Sequence, residues 1–223
     1  MSSQAYVRDF ISTVNALLLA SLAYLNFESN QVFAKANDQN PLAKAGEAIR
    51  LSKPKEALDI LDNYNPAINE RSHFFFLRGR ALQDQKKNTK ALEAYTISLF
   101  LYSSNTKALI NRALVKGALR DLDAAMDDLN SALRINPRSK EALMNRGVTN
   151  AGLGKVNNAI YDFTAAIRLD PNYADAYRNR GITWNYQGKK EKACKDWRRA
   201  LSLGQQDIST WVSSLCLKRT RED

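Results

Sequence analysis

The chain is predicted to be all-α, a right-handed α-solenoid of about five helical hairpins with a C-terminal capping helix. Three observations predict this. Alanines recur at a 34-residue step, at Ala57, Ala91, Ala125, Ala159 and Ala193. Small residues keep the same step twelve positions earlier, at Ala45, Gly79, Ala113, Gly147 and Gly181. Large side chains keep it four positions later, at Leu61, Tyr95, Leu129, Phe163 and Trp197. Where two antiparallel helices cross, Gly or Ala lets the backbones approach, and the large residue one turn on fills the groove. Pro137 and Pro171 then end second helices, because proline cannot continue one.

Within one unit, Gly147, Ala159, Phe163, Ala166 and Pro171 together resemble the tetratricopeptide repeat (TPR) family. The resemblance covers residues 38–205 and implies repeats at about 38–71, 72–105, 106–139, 140–173 and 174–207, then a capping helix and basic tail over 208–223. The terminal units depart from the pattern at Tyr64, Asn69 and Gln205, as end repeats with one unpartnered face do.

Residues 1–36 precede the register. Phe10 to Phe27 is uncharged, with an apolar centre from Ala16 to Leu25 and Arg8 on its amino-terminal side. Ala34-Lys35-Ala36 is a small-x-small cleavage site, so one reading is a signal peptide cut after Ala36 and an exported protein. The rival readings are an uncleaved signal anchor through residues 10–27 and a docked ordinary helix. The segment has no cysteine for lipid attachment and no twin arginine.

Net charge is +10 at pH 7. Residues 1–36 contribute none of it, and the part beyond Ala174 holds eleven lysines and arginines against six acids. That basic C-terminal end is suited to an acidic partner or an anionic membrane surface, and equally to a solvated face that keeps the chain soluble. Nucleic acid is disfavoured, because no aromatic platform alternates with the basic residues and export would remove the protein from RNA.

Catalysis needs a nucleophile, a base or a metal set, and one histidine and two cysteines without metal-ligand spacing supply none. The expectation is a non-enzyme with no catalytic residues, no metal and no cofactor. His73-Phe74-Phe75-Phe76 reads as core packing. Cys194 and Cys216 read as buried small apolar residues, which an exported chain could pair if their Cα atoms come within about 7 Å.

The family resemblance implies that first helices line a concave surface and that the partner is a protein or extended peptide. One polar series falls there: Asn111, Asn145 and Asn179, each followed by an arginine. An amide donates and accepts, so such a row can hold a peptide backbone without reading its side chains. It is similar to the asparagine ladder of O-linked N-acetylglucosamine transferase at these three positions and stops at Leu77. Asparagine bonding to neighbouring helices is the equal alternative. Arg80, Lys107, Arg178 and Tyr186 complete the candidate groove, with Asp84, Glu141 and Asp175 mixing the signs. A carboxylate clamp of the chaperone-tail kind would fall on Phe76, Arg80, Asn111, Glu141 and Asn145, and Glu141 would repel its ligand.

Overall fold

The computed structural model describes residues 40–216; the segments read above as a leader and a basic tail lie outside the described residues. It falls into two compact units meeting at Asn65 and Pro66. The described residues are helical throughout, without strands.

In the first unit, α1 (Pro41–Arg50) packs on α2 (Pro54–Asp62). Both start on a proline, whose fixed φ suits a first turn and whose missing N–H is not needed there. Asn40 Oδ1 caps α1 by accepting from the Leu42 N–H at 2.9 Å. Ala45, Ala57 and Leu61 are wholly buried between the two helices.

The second unit contains four hairpins. They are α3 (Arg71–Asp84) with α4 (Asn88–Leu101), α5 (Thr106–Ala118) with α6 (Leu122–Ile135), α7 (Lys140–Gly152) with α8 (Val156–Leu169), and α9 (Ala174–Tyr186) with α10 (Lys190–Ser202). A 3-10 turn (Gln206–Ile208) then leads into α11 (Ser209–Cys216). Helices α6 and α8 stop two residues before Pro137 and Pro171, since a residue preceding proline is steered out of the α region.

Every ladder alanine is fully buried. The small-to-large pairing is literal: a Cβ built on Gly79, Gly147 or Gly181 would stand 2.7, 2.6 or 2.5 Å from the ring of Tyr95, Phe163 or Trp197. Where the small residue is alanine, at Ala45 and Ala113, the partner is the slimmer Leu61 or Leu129. Glycine therefore accompanies a ring and alanine accompanies leucine. The phenylalanine run divides by helical phase: Phe74 and Phe76 are buried, Phe75 is half-buried and His73 faces out.

Each hairpin turns through a residue with positive φ: Ser52, Lys86, Arg120, Gly154 and Gly188, again 34 apart. At each, the following N–H reaches back to the carbonyl five residues earlier, as Asp121 does to Lys116 at 3.0 Å and Lys155 to Asn150 at 2.8 Å. Glycine occupies this left-handed position without steric cost, whereas Ser52, Lys86 and Arg120 carry a Cβ against the carbonyl. Arg120→Gly is accordingly expected to raise stability by about 0.5–1 kcal/mol. A lowered urea midpoint would contradict that backbone assignment.

α11 starts where a sixth first helix would, with Trp211 in register with Leu109, Leu143 and Tyr177. It covers α10: Trp211 packs on Trp197 with ring centroids 5.5 Å apart, and Ile208 is wholly buried. Cys194 and Cys216, whose Cα atoms are 5.4 Å apart, form a disulfide inside this cluster. They are thus both buried and paired.

Candidate functional site

Within the second unit, successive first helices touch one another: α3 meets α5, α5 meets α7, and α7 meets α9. Second helices contact first helices and have no comparable contact among themselves. The first helices therefore form the crowded inner side, and the second helices are spread on the outer side.

Asn111 and Asn145 are half-buried on that inner side, and neither side-chain amide has a hydrogen-bond partner among the described residues. Asn179 differs. Its Nδ2 donates to the Asp175 carbonyl at 2.8 Å and sits 3.9 Å from the sulfur of Met144. Two of the three amides are open to a ligand, and the third serves its own helix and its neighbour.

One turn further along each first helix lies a series the asparagine reading overlooked. Leu114, Val148 and Ile182 keep the 34-residue step and are 41%, 44% and 37% exposed. Arg80 holds the same register in α3. Residues at i and i+3 share a helix face, so an exposed apolar row runs beside the amides. The sequence signal was available as three aliphatic residues following the small-residue ladder by one position, but burial cannot be read from that spacing.

The charged candidates separate. Lys107 is exposed at the start of α5 and, after burial itself, is the second cause holding the His73 pKa below 6.5. Arg80 is half-buried and has no ion pair among the described residues. Arg178 is committed elsewhere: its Nε donates to Asp207 Oδ2 at 2.9 Å, and its guanidinium lies 5.6 Å from the centre of the Trp211 ring. It therefore joins the last repeat to the cap rather than standing free in the groove. Tyr186, at the end of α9, is 79% exposed. At the rim, Lys140 pairs with Asp170 at 2.6 Å, which raises the lysine pKa and lowers that of the carboxyl. Lys140 also lies 5.3 Å from the Tyr173 ring centre, and burial of that phenol, with nearby acids, pushes its pKa up to about 12.

The arginines that follow the asparagines turn the opposite way, into the repeat. Arg112 clasps Asp128 with Nε and Nη2 at 2.8 and 2.7 Å, Arg146 clasps Asp162 at 3.0 and 2.7 Å, and Arg180 clasps Asp196 at 2.7 and 2.8 Å. Their Nη1 atoms reach back to the preceding second helix, at Thr96, Asn130 and Thr164. Each arginine thus joins three helices and two repeats. The aspartates are buried at 5%, 1% and 4% exposure. Lys116 and Asn150, again in register, give Asp128 and Asp162 a further partner at 2.9 Å. Asp162, acting through its hydrogen bonds, holds the Arg146 pKa above its ordinary value.

Residues 76–139 match a tetratricopeptide repeat family model, and residues 152–183 match a second TPR model. Those two segments thus resemble tetratricopeptide repeats. Solved structures of the same architecture include MamA, with a TM-score of 0.62 at 18% identity over 74% of this chain and 96% of that one. MamA from Desulfovibrio magneticus RS-1 gives 0.63 at 18% identity, covering 73% of this chain and 93% of that one. YrrB, described as a TPR protein with an unusual peptide-binding site, gives 0.60 at 20% identity, covering 82% and 98%. No curated protein matches the sequence.

Among the described residues no cluster of His, Cys, Asp or Glu is arranged to hold a metal ion, and no helix is long and apolar enough to cross a membrane.

Proposed function

We propose that the chain is a noncatalytic protein-interaction scaffold that holds an extended polypeptide on the inner surface of its TPR array. The observation that carries this reading is the pairing of two unengaged amides, Asn111 and Asn145, with the exposed apolar row Leu114, Val148 and Ile182. Amides can hold a strand's backbone while apolar positions one turn away take its side chains. YrrB, of the same architecture, is a TPR protein with a peptide-binding site, which supports a peptide as the ligand class.

The arrangement also says what a variant should lose. Against a peptide selected from a random library, changing Asn111 and Asn145 to alanine together is expected to weaken binding about thirtyfold, at about 1 kcal/mol per amide contact. Asn179→Ala is expected to do much less, because its amide is already occupied. Titration calorimetry with melting curves in parallel reads this out. Equal binding by the double variant at unchanged melting would remove the groove as the site.

We infer further that the protein works outside the cytosol, or on its outer membrane face, in the assembly of a membrane or envelope complex. The Cys194–Cys216 disulfide supports an oxidising compartment, since such bonds are rare in reducing ones. The uncharged Phe10–Phe27 stretch and Ala34-Lys35-Ala36 support export. N-terminal sequencing, combined with alkylation of unreduced protein, tests both parts. A mature chain starting at Asn37 with both thiols protected is expected. An intact Met1 or Ser2 terminus in a membrane fraction establishes the anchor instead, and two freely alkylated cysteines argue against the compartment.

A further inference from the structure

The last second helix, α10, differs in charge from its counterparts on the outer side. Counting the residue just before each helix, the exposed charged residues are Lys87, Lys90 and Glu93 for α4, Asp121, Asp123, Asp127 and Arg134 for α6, and Lys155 and Arg168 for α8. Those faces carry net charges of +1, −2 and +2. On and just before α10, six cations are exposed: Lys189, Lys190, Lys192, Lys195, Arg198 and Arg199. Glu191 is the single exposed acid, because Asp196 is turned inward and taken by Arg180.

None of the six cations has an ion pair among the described residues. Their contacts are neutral: Lys189 donates to Gln187, Arg198 to the Cys216 carbonyl, and Arg199 to Asn172 and the Pro171 carbonyl. Lys189 and Lys192 lie 5.0 and 4.7 Å from the centre of the Trp184 ring. Such contacts orient the side chains without cancelling their charge. A helix of thirteen residues is about 20 Å long, so the charge is spread along a line rather than focused in a pocket.

We propose that the outer face of α10 docks the array on an anionic membrane surface. Charge complementarity calls for an anionic partner, and an outward helix face without a cleft suits a plane of headgroups. No large apolar side chain projects from this face, so the contact is electrostatic adsorption without insertion. Of the rings that these cations reach, Trp184 is covered by two lysines and Tyr177 lies 6.0 Å from the Arg199 guanidinium, which leaves neither as an open platform for nucleobases. On the reading of Phe10–Phe27 as an export signal or anchor, the chain passes or stays at a membrane, where such a face would meet headgroups. This surface is separate from the peptide groove and does not depend on it.

The three tryptophans, Trp184, Trp197 and Trp211, all belong to this end of the molecule, so their energy transfer to a dansyl-labelled lipid reports on α10 even in the full chain. Full-length protein is titrated with vesicles of mixed phosphatidylglycerol and phosphatidylcholine. Transfer is expected with these vesicles, to be lost in high salt, and to be absent with pure phosphatidylcholine. In K190Q/K192Q/K195Q the lipid concentration for half-maximal transfer is expected to rise about a hundredfold, at about fivefold per lysine. N111A/N145A is expected to match the parent, which separates failure of this proposal from failure of the groove. Far-UV circular dichroism checks that the lysine variant keeps its helices. Equal half-maximal lipid for parent and lysine variant, or equal transfer with neutral vesicles, would overturn the proposal by leaving membrane association to residues 10–27. Tighter binding of a single-stranded oligonucleotide than of anionic vesicles would overturn it in favour of nucleic acid.

Discussion

Arg146→Met is expected to lower the stability of the array by about 4 kcal/mol, because it leaves the Asp162 carboxylate buried after loss of its bidentate partner. Asp162 is 1% exposed and would keep only the Asn150 amide, at 2.9 Å, as a charge-compatible donor. The same substitution removes the bond to Asn130, so it also loosens the joint to the preceding repeat. Urea denaturation of the single variant and of R146M/D162L separates the two parts of the effect. The double variant is expected to recover most of the loss, since an apolar pair of similar volume needs no desolvated charge. A single-variant loss below about 1 kcal/mol would mean that water reaches the carboxylate and that the pair behaves as a surface bridge.

Gly181→Ala is expected to destabilise by about 3 kcal/mol through overpacking. The added Cβ would stand 2.5 Å from Cδ1 and Nε1 of Trp197 and 3.2 Å from the Ala193 carbonyl oxygen. Trp197 is 2% exposed and wedged between α9 and the capping helix, so its indole has nowhere to retreat. Its buried Nε1 has no hydrogen-bond partner among the described residues, so packing alone holds the ring. The chain itself suggests the compensating change, because alanine stands in this position opposite leucine at Ala113 and Leu129. G181A/W197L is expected to be more stable than the sum of its single changes predicts, as a double-mutant cycle measures. Strict additivity would show that glycine is not there to admit the ring.

Both changes act on how a first helix is held against second helices, and so on the groove that the first helices line. Asn145 immediately precedes Arg146, and Val148 follows it by two positions on the same helix. In an array whose repeats contact mainly their neighbours, a loosened joint in α7 displaces the amide of Asn145 relative to that of Asn111. Arg146→Met is thus expected to weaken peptide binding as well as stability, while Gly181→Ala, placed one repeat further along, affects binding less.

The sequence alone determined the helical hairpins, their 34-residue step and their packing seam. The reason is that one crossing recurs in every repeat, and each recurrence demands a small residue and a large one at fixed positions. Composition likewise located the excess of positive charge. What only the tertiary structure decided was which polar side chains are spent. Asn111, Asn145 and Asn179 are indistinguishable by spacing, yet Asn179 is engaged by the Asp175 carbonyl and Met144 while the other two are open. Arg178 looked like a groove residue until Asp207 and Trp211 of the cap took it. The arginines beside the asparagines carried a 34-residue signal, but their aspartates lie sixteen residues away on another helix, where only the fold brings them within 3 Å. Non-glycine residues at the left-handed turns were hidden for a similar reason: Lys86 and Arg120 resemble surface charges until the backbone fixes their φ. Periodic packing is written locally and repeats itself, whereas a polar group's partner depends on whichever helix folds against it.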